Sequence, residues 1–230
     1  MSGYNISFVF PMFNESENIA STIHKASDFA GRVCGDYEII VIDDASNDGS
    51  GEIVRKLSAE YKNIKLFRLA KNSKFGGALN EGLMRASKDI VVYTDSDFPA
   101  REEDVKKALD LLGECDIVTA YSLVIKDLSF KRIVMSRVYN FLVQLLFNLN
   151  LRDVNSGLKV YRKKVFDGMK LKSKSPFIDV EIFVEAVRRG FSIRQHGLIF
   201  ELRAKGHSRI SRMDVVARTF WDMLVYKFSR

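Results

Sequence analysis

The run Tyr37-Glu38-Ile39-Ile40-Val41-Ile42 is followed at once by Asp43-Asp44-Ala45-Ser46-Asn47-Asp48-Gly49. A short β-branched run reads as a strand covered on both faces, and the acidic, turn-forming residues behind it read as the loop where that strand ends. The same grammar extends outward on both sides. Residues 6–11, 64–69, 90–94 and 116–120 are further short β-rich runs, and helical stretches fall between them at 15–30, 51–61, 77–86 and 102–112. Asn14, with Glu17 three residues on, reads as the N-cap of the first helix. This alternation predicts an α/β fold, a Rossmann-like, mostly parallel sheet flanked by helices.

The second half is less regular. It offers an amphipathic helix at 133–149, a strand near 158–162, a helix near 180–189 closed by Gly190, a strand near 192–202 and a terminal helix near 213–228. No linker-like composition separates the halves, so residues 1–230 are expected to form a single domain. Its subdivision is by charge. Residues 1–120 hold 14 Lys+Arg against 20 Asp+Glu, a balance of −6, while residues 121–230 hold 22 against 9, a balance of +13. The overall +7 therefore joins an acidic half to a strongly basic one.

Composition excludes several classes. With 47% hydrophobic residues and 28% charged, the 230-residue chain is globular rather than disordered or collagenous. Cys34 and Cys115 have neither zinc-ligand nor CxxC spacing. Met1-Ser2-Gly3-Tyr4 runs straight into a strand-like segment, so no signal peptide is expected. Residues 133–151 include Ser136, Arg137, Asn140, Gln144, Asn148 and Asn150. An arginine near the middle of a span costs roughly 2.5–3.5 kcal/mol, so this segment is not expected to cross a membrane. Its apolar face (Val134, Val138, Phe141, Leu145, Leu149) is expected to pack on the core, with a bilayer or a partner as the alternative. The terminal helix carries Val216, Phe220, Leu224 and Phe228 as one stripe, with Trp221 and Val225 beside it and Arg212, Arg218, Lys227 and Arg230 near, and leaves the same two readings open.

Ligands of parallel α/β sheets bind beyond the carboxyl ends of the strands. There the sequence places Pro11-Met12-Phe13-Asn14-Glu15 after the first run, Asp43 to Gly49 after the second and Asp95-Ser96-Asp97 after the fourth. Converging carboxylates are costly unless a cation or a hydrogen-bonding ligand neutralises them. Oxygen ligands two residues apart suit a hard divalent ion, Mg²⁺ or Mn²⁺, which also accepts diphosphate oxygens. Between the third run and its helix, Lys71-Asn72-Ser73-Lys74-Phe75-Gly76-Gly77-Ala78 suits either an anion at a helix N-terminus or a close steric entry. Walker A and GxGxxG patterns are absent, which argues against P-loop and ordinary dinucleotide chemistry. Of the histidines, His24 falls mid-helix, His196 in a strand and His207 in a basic stretch, so only the last is a site candidate.

In this order and spacing the motifs resemble the GT-A family 2 glycosyltransferases. The residues concerned are Pro11 to Glu15 with Asn18-Ile19, then Asp43-Asp44, Ser46 and Asp48-Gly49-Ser50, then Asn72, Gly76-Gly77-Ala78, Asn80 and Gly82, and Asp95-Ser96-Asp97. Arg132, Ser136-Arg137, Asn140, Asp153, Ser156-Gly157-Leu158-Lys159, Tyr161-Arg162, Phe200, Arg203, Gly206 and Ser208-Arg209 are similar to the dolichyl-phosphate mannose synthase branch and its polyprenyl-phosphate relatives. Three positions depart from that pattern: Pro99 stands where glutamine is common, Ala120-Tyr121-Ser122 where Gly-Ser-Arg is frequent, and Arg209 where lysine is common. The QxxRW motif of processive synthases is missing.

The resemblance implies an inverting hexosyltransferase, with mannose first and glucose second, moving sugar from GDP-mannose or UDP-glucose to a dolichyl or polyprenyl phosphate. Pro11, Phe13, Asn14, Glu15, Ile42, Asp43, Asp44, Ser46, Lys74, Gly76, Gly77, Asp95, Ser96 and Asp97 would hold the nucleotide sugar, with Asp95 and Asp97 on the metal. Arg132, Ser136, Arg137, Arg203, Ser208 and Arg209 would meet phosphates; Asp95, Asp97, Arg132 and Arg203 would carry catalysis. It further implies peripheral contact with the cytoplasmic face of a membrane through helices near 131–149 and 211–228, an anchoring subunit as a candidate partner, and no nucleic acid. The alternatives are a hydroxyl acceptor on a glycan or glycolipid, for which Asp179 or Glu181 would be the base, and a nucleic-acid-binding or inactive nucleotide-sugar-binding module.

Overall fold

Period-two burial on the first two strands explains the layering. In β1 (Tyr4–Met12), Phe8 and Phe10 enter one core while Val9 enters the other; in β2 (Cys34–Asp43), Ile39 and Val41 part from Ile40 and Ile42 in the same way. Each fully buried side chain of this size contributes roughly 1.5–3 kcal/mol. The structure is a computed structural model, described for residues 3–95, 98, 100–123, 130–199 and 213–229, the side chains of 130–132 and 213 excepted.

The remaining strands are β3 (Ile64–Arg68), β4 (Ile90–Thr94), β5 (Ile117–Ser122), β6 (Leu158–Arg162) and β7 (Ile193–Leu198). They form one seven-stranded sheet in the order β3-β2-β1-β4-β6-β5-β7. β6 lies antiparallel between β4 and β5, and the other described pairings are parallel. The parallel direction expected for the first five strands is thus present. The sheet is mostly parallel, as expected, with β6 separating β4 from β5. The sheet therefore runs through both the acidic and the basic half.

Helices α1 (Ile19–Val33), α2 (Ser50–Glu60) and α4 (Glu102–Leu111) contribute to the core on one face, and α3 (Lys74–Arg85), α5 (Phe130–Phe147) and α6 (Ile178–Arg188) to that on the other. α7 (Met213–Phe228) adds Met223 to this second core, and its Phe220 meets Tyr139 of α5 edge-on at 5.7 Å. α3 approaches β1 so closely that a Cβ on Gly82 would lie 2.4 Å from Val9 Cγ1.

Two local expectations are corrected. Asn14 is not the cap of α1; it adopts φ 55° in the preceding turn, and the helix begins after Asn18. Asn14 is diverted because its Oδ1 accepts a bond from the Asn47 N–H at 2.8 Å, across to the loop after β2. The second correction concerns α5. Of its expected core face, Val134, Val138, Phe141 and Leu145 are exposed and only Leu149, past the helix end, is buried, while Tyr139 and Val143 point into the core. Residues Leu142, Leu146 and Phe147 also pack inward, so the helix is apolar on both sides and its polar spacing did not mark the outer face.

Candidate functional site

The register of β1 on β2 brings two loops together at the carboxyl edge. Pro11 pairs with Ile42 and Met12 with Asp43, and the Asp44 N–H donates to Met12 O at 2.8 Å. Beyond the strands the Asn14 N–H donates to Ser46 Oγ at 2.9 Å and the Ser16 N–H to Asp48 Oδ2 at 2.9 Å. Pro11, Phe13, Asn14 and Glu15 are thereby held, partly exposed, beside the second loop.

The acidic pair within that loop is turned inward. Asp43 is fully buried, its Oδ1 accepting the Ser46 N–H at 2.8 Å and its Oδ2 lying 3.5 Å from Arg68 Nε. Asp44 Oδ1 accepts both the Ser73 N–H at 2.5 Å and the Ser73 hydroxyl at 2.8 Å. Burial raises the Asp44 carboxyl above its ordinary range, against the opposing pull of those bonds and of Lys74. Ile42 is fully buried, its side chain packed in the core. Asp43 and Asp44 are thus the internal frame of this edge.

The loop before α3 is less open to an anion than its glycines suggested. The Ser73 amide is committed to Asp44, the Lys74 amide donates to Asn72 Oδ1 at 3.2 Å, and the Gly76 amide donates to Lys174 O at 2.9 Å. A Cβ on Gly76 would lie 2.6 Å from Ser173 O, and one on Gly77 would lie 2.7 Å from Ser73 Oγ. The steric reading of these glycines is therefore the better supported, while the Lys74 side chain remains exposed. Glu181 secures the strap over Gly76 by accepting the Lys172 and Ser173 amides at 3.0 and 2.8 Å.

Asp95 follows β4 and is partly exposed at the same edge. Tyr93 O–H donates to its Oδ1 at 3.1 Å, and Phe98 N–H donates to its backbone oxygen at 2.9 Å. Next to it, Thr94 Oγ1 donates to Gly157 O at 2.7 Å, fixing the entry of β6. Lys159 is fully buried; its ammonium donates to Ser156 O at 2.7 Å and lies 3.1 Å from Asp179 Oδ2. Asp179 and Glu181, the candidate bases for a hydroxyl acceptor, are 2% and 1% exposed in the first turn of α6. Burial raises the Asp179 carboxyl to about 6, opposed by Lys159 and reinforced by the charges of Asp95 and Asp153.

Ser96, Asp97, Pro99, Arg203, His207, Ser208, Arg209 and the Arg132 side chain lie outside the described residues. Ser136 and Arg137 are exposed on α5. Sequence reasoning missed Tyr93 and Lys159 as neighbours of Asp95. Their one signal was that they stand directly opposite each other on β4 and β6, a pairing invisible until β6 is known to lie beside β4.

An α/β sheet with carboxylates gathered at its carboxyl edge agrees with a match to the family described as glycosyl transferase family 2, which spans residues 7–169. The chain belongs to glycosyl transferase family 2. Among family 2 relatives, glycosyltransferase AglD of Haloferax volcanii is 28% identical over 240 residues, covering 97% of this chain and 38% of that protein. Polyprenol monophosphomannose synthase of Mycolicibacterium smegmatis is 24% identical, covering 90% of this chain and 81% of the relative. Undecaprenyl-phosphate 4-deoxy-4-formamido-L-arabinose transferase of Pseudomonas fluorescens is 26% identical, covering 95% and 63%. The chain thus spans less than two thirds of the first and third of these relatives.

Among solved structures, glucosyl-3-phosphoglycerate synthase from Mycobacterium tuberculosis, in complex with phosphoglyceric acid, superposes with a TM-score of 0.75 at 20% identity, covering 99% of this chain and 81% of that one. Mannosyltransferase PcManGT from Pyrobaculum calidifontis, in complex with GDP-Man and Mn²⁺, gives a TM-score of 0.68 at 16% identity, covering 97% and 65%. These likenesses establish the shared GT-A fold of the family 2 chain.

Proposed function

We propose that this chain transfers a hexose, mannose first and glucose second, from a nucleotide sugar to a polyprenyl or dolichyl phosphate at a membrane surface, with inversion. The observation that carries the choice of acceptor is the outward apolar face of α5 and α7. Val134, Val138, Phe141 and Leu145 are exposed on the first, and Trp221, Leu224, Val225 and Phe228 on the second. The two helices pack on each other through Tyr139 and Phe220 and through Phe147 and Tyr226. Neighbouring apolar faces flanked by Arg137, Arg218 and Lys227 suit a lipid interface. No described helix is long and apolar enough to cross a membrane, which agrees with peripheral contact. The names of two relatives, a polyprenol monophosphomannose synthase and an undecaprenyl-phosphate transferase, support the same acceptor class.

A phosphate acceptor is already an anionic nucleophile at neutral pH, so the reaction needs no general base. Asp179, a candidate base for a hydroxyl acceptor, is buried and engaged by Lys159, which favours the phosphate reading. In this proposal Pro11, Phe13 and Glu15 border the nucleoside, and Arg132, Ser136, Arg137, Arg203, Ser208 and Arg209 steer phosphates through charge-assisted bonds. Asp95 and Asp97 would hold Mg²⁺ or Mn²⁺. The donor set fits: all-oxygen ligation suits a hard ion, and Asp95 is partly exposed at the carboxyl edge of the sheet. When bound, such an ion neutralises charge on the departing nucleoside diphosphate. The Mn²⁺ complexes of the glucosyl-3-phosphoglycerate synthase and of PcManGT support this.

The decisive experiment incubates the protein with radiolabelled GDP-mannose or UDP-glucose, polyprenyl phosphate and Mg²⁺ or Mn²⁺. Label is expected in the organic phase, and Asp97→Asn is expected to abolish it. Transfer only to a soluble sugar acceptor would overturn the lipid-phosphate reading.

A further inference from the structure

Asp95 stands on a buried strut of Tyr93, Lys159 and Asp179. Tyr93 is 2% exposed, and its hydroxyl, 3.1 Å from Asp95 Oδ1, touches one oxygen of that carboxylate. The ring beneath is fixed on two sides. Phe75 at the start of α3 meets it edge-on at 6.2 Å between centroids, and the Lys159 ammonium lies 5.1 Å from its centre. Lys159 is itself locked by Asp179 Oδ2 and by Ser156 O, while Asp179 Oδ1 has no hydrogen-bond partner among the described residues. A carboxylate free to rotate must lose that freedom when it binds a cation. One whose Oδ1 is already held has part of that loss met in the fold.

We propose that Tyr93 is a positioning residue that orients Asp95 for a divalent cation carried by a nucleoside diphosphate, with the Lys159–Asp179 pair fixing the tyrosine from below. This rests on the metal role proposed for Asp95. It concerns the affinity of the edge for the cation rather than the chemical step.

The test is Mn²⁺ titration of the whole chain in the presence of UDP or GDP, reading free aqueous Mn²⁺ by electron paramagnetic resonance. Tyr93→Phe keeps the ring and removes only the hydroxyl, and it is expected to weaken Mn²⁺ binding by about 10- to 100-fold, the usual cost of losing an outer partner of a metal ligand. Phe75→Leu loosens the same packing but leaves the hydroxyl, and it is expected to weaken Mn²⁺ binding several-fold less than Tyr93→Phe does. Wild-type affinity in Tyr93→Phe, with binding lost in Asp95→Asn, overturns the positioning role and leaves the metal role standing. Equal weakening in Tyr93→Phe and Phe75→Leu assigns the effect to packing and also overturns it. A wild-type chain that binds no Mn²⁺ with either nucleotide overturns both.

Discussion

Lys159 shows what a single residue must do at this edge. A fully buried ammonium is tolerable only with a counter-charge and satisfied donors, and Asp179 and Ser156 O supply them. Replacing it by methionine strands the Asp179 carboxylate in the core, and a loss of about 3–5 kcal/mol in denaturant-measured stability is expected. The double variant Lys159→Met/Asp179→Leu removes both charges and should recover most of that loss; a cumulative loss instead would show that the two act independently. The legibility of single residues followed their exposure. Asp95 could be read from its place after an apolar run. Ile42 and Asp43 could be placed near the edge but not assigned a side, because burial on a two-sided strand leaves no polar alternation to read. Tyr93 was hidden in the same way.

At the scale of elements, the helices facing the parallel strands were legible because their apolar spacing has one answer. α5 and α7 were legible as helices but their packing faces were not, since each carries apolar residues on more than one face. The stripe of Val134, Val138, Phe141 and Leu145 was regular enough to suggest a core contact, yet the core took Tyr139 and Val143 instead. That inversion makes the outer faces testable. Phe141→Asp/Leu145→Asp and Trp221→Asp/Phe228→Asp alter exposed positions only, so thermal stability should change by no more than about 0.5 kcal/mol per site. Flotation with anionic liposomes should fall sharply for both pairs. Unchanged flotation would remove α5 and α7 from the membrane interface. The strand inserted as β6 was legible as a strand but not in its place, because nothing in Leu158–Arg162 indicates which neighbours it joins.

On the whole molecule, the two ends of the sheet treat charge differently. Near the amino ends of the parallel strands Glu38 is 2% exposed and internally satisfied: its Oε1 accepts the hydroxyls of Ser7 at 2.6 Å and Ser87 at 2.8 Å, and its Oε2 accepts Lys65 Nζ at 2.6 Å. Burial pushes the Glu38 carboxyl up, but the bonds from Lys65, Ser7 and Ser87 outweigh it and hold the group at about 2. A depressed carboxylate stabilises the fold above its unfolded value of 4.5, and that contribution is lost as pH falls towards 2. Unfolding midpoints should drop over that window, and Glu38→Gln should flatten the drop while costing roughly 1.5–3 kcal/mol at neutral pH.

At the carboxyl edge Asp43 and Asp44 are likewise held by bonds within the fold, whereas the metal role proposed for Asp95 leaves its charge to be completed by a ligand. Asp95 has one oxygen held by Tyr93, and in the proposed function the cation that would neutralise it comes with the nucleoside diphosphate. A ligand that binds only the folded state stabilises it by about 2.7 kcal/mol at a hundredfold excess over its dissociation constant. At about 2–4 °C per kcal/mol for a chain of this size, Mn²⁺ with UDP or GDP should raise the melting temperature by roughly 5–11 °C at neutral pH. Asp95→Asn should abolish the shift, whereas Glu38→Gln should lower the starting midpoint and leave the shift intact. Equal shifts in Asp95→Asn and the wild type would mean that the nucleotide binds without this carboxylate, and that the acidity of residues 1–120 serves the fold rather than a metal-bound diphosphate.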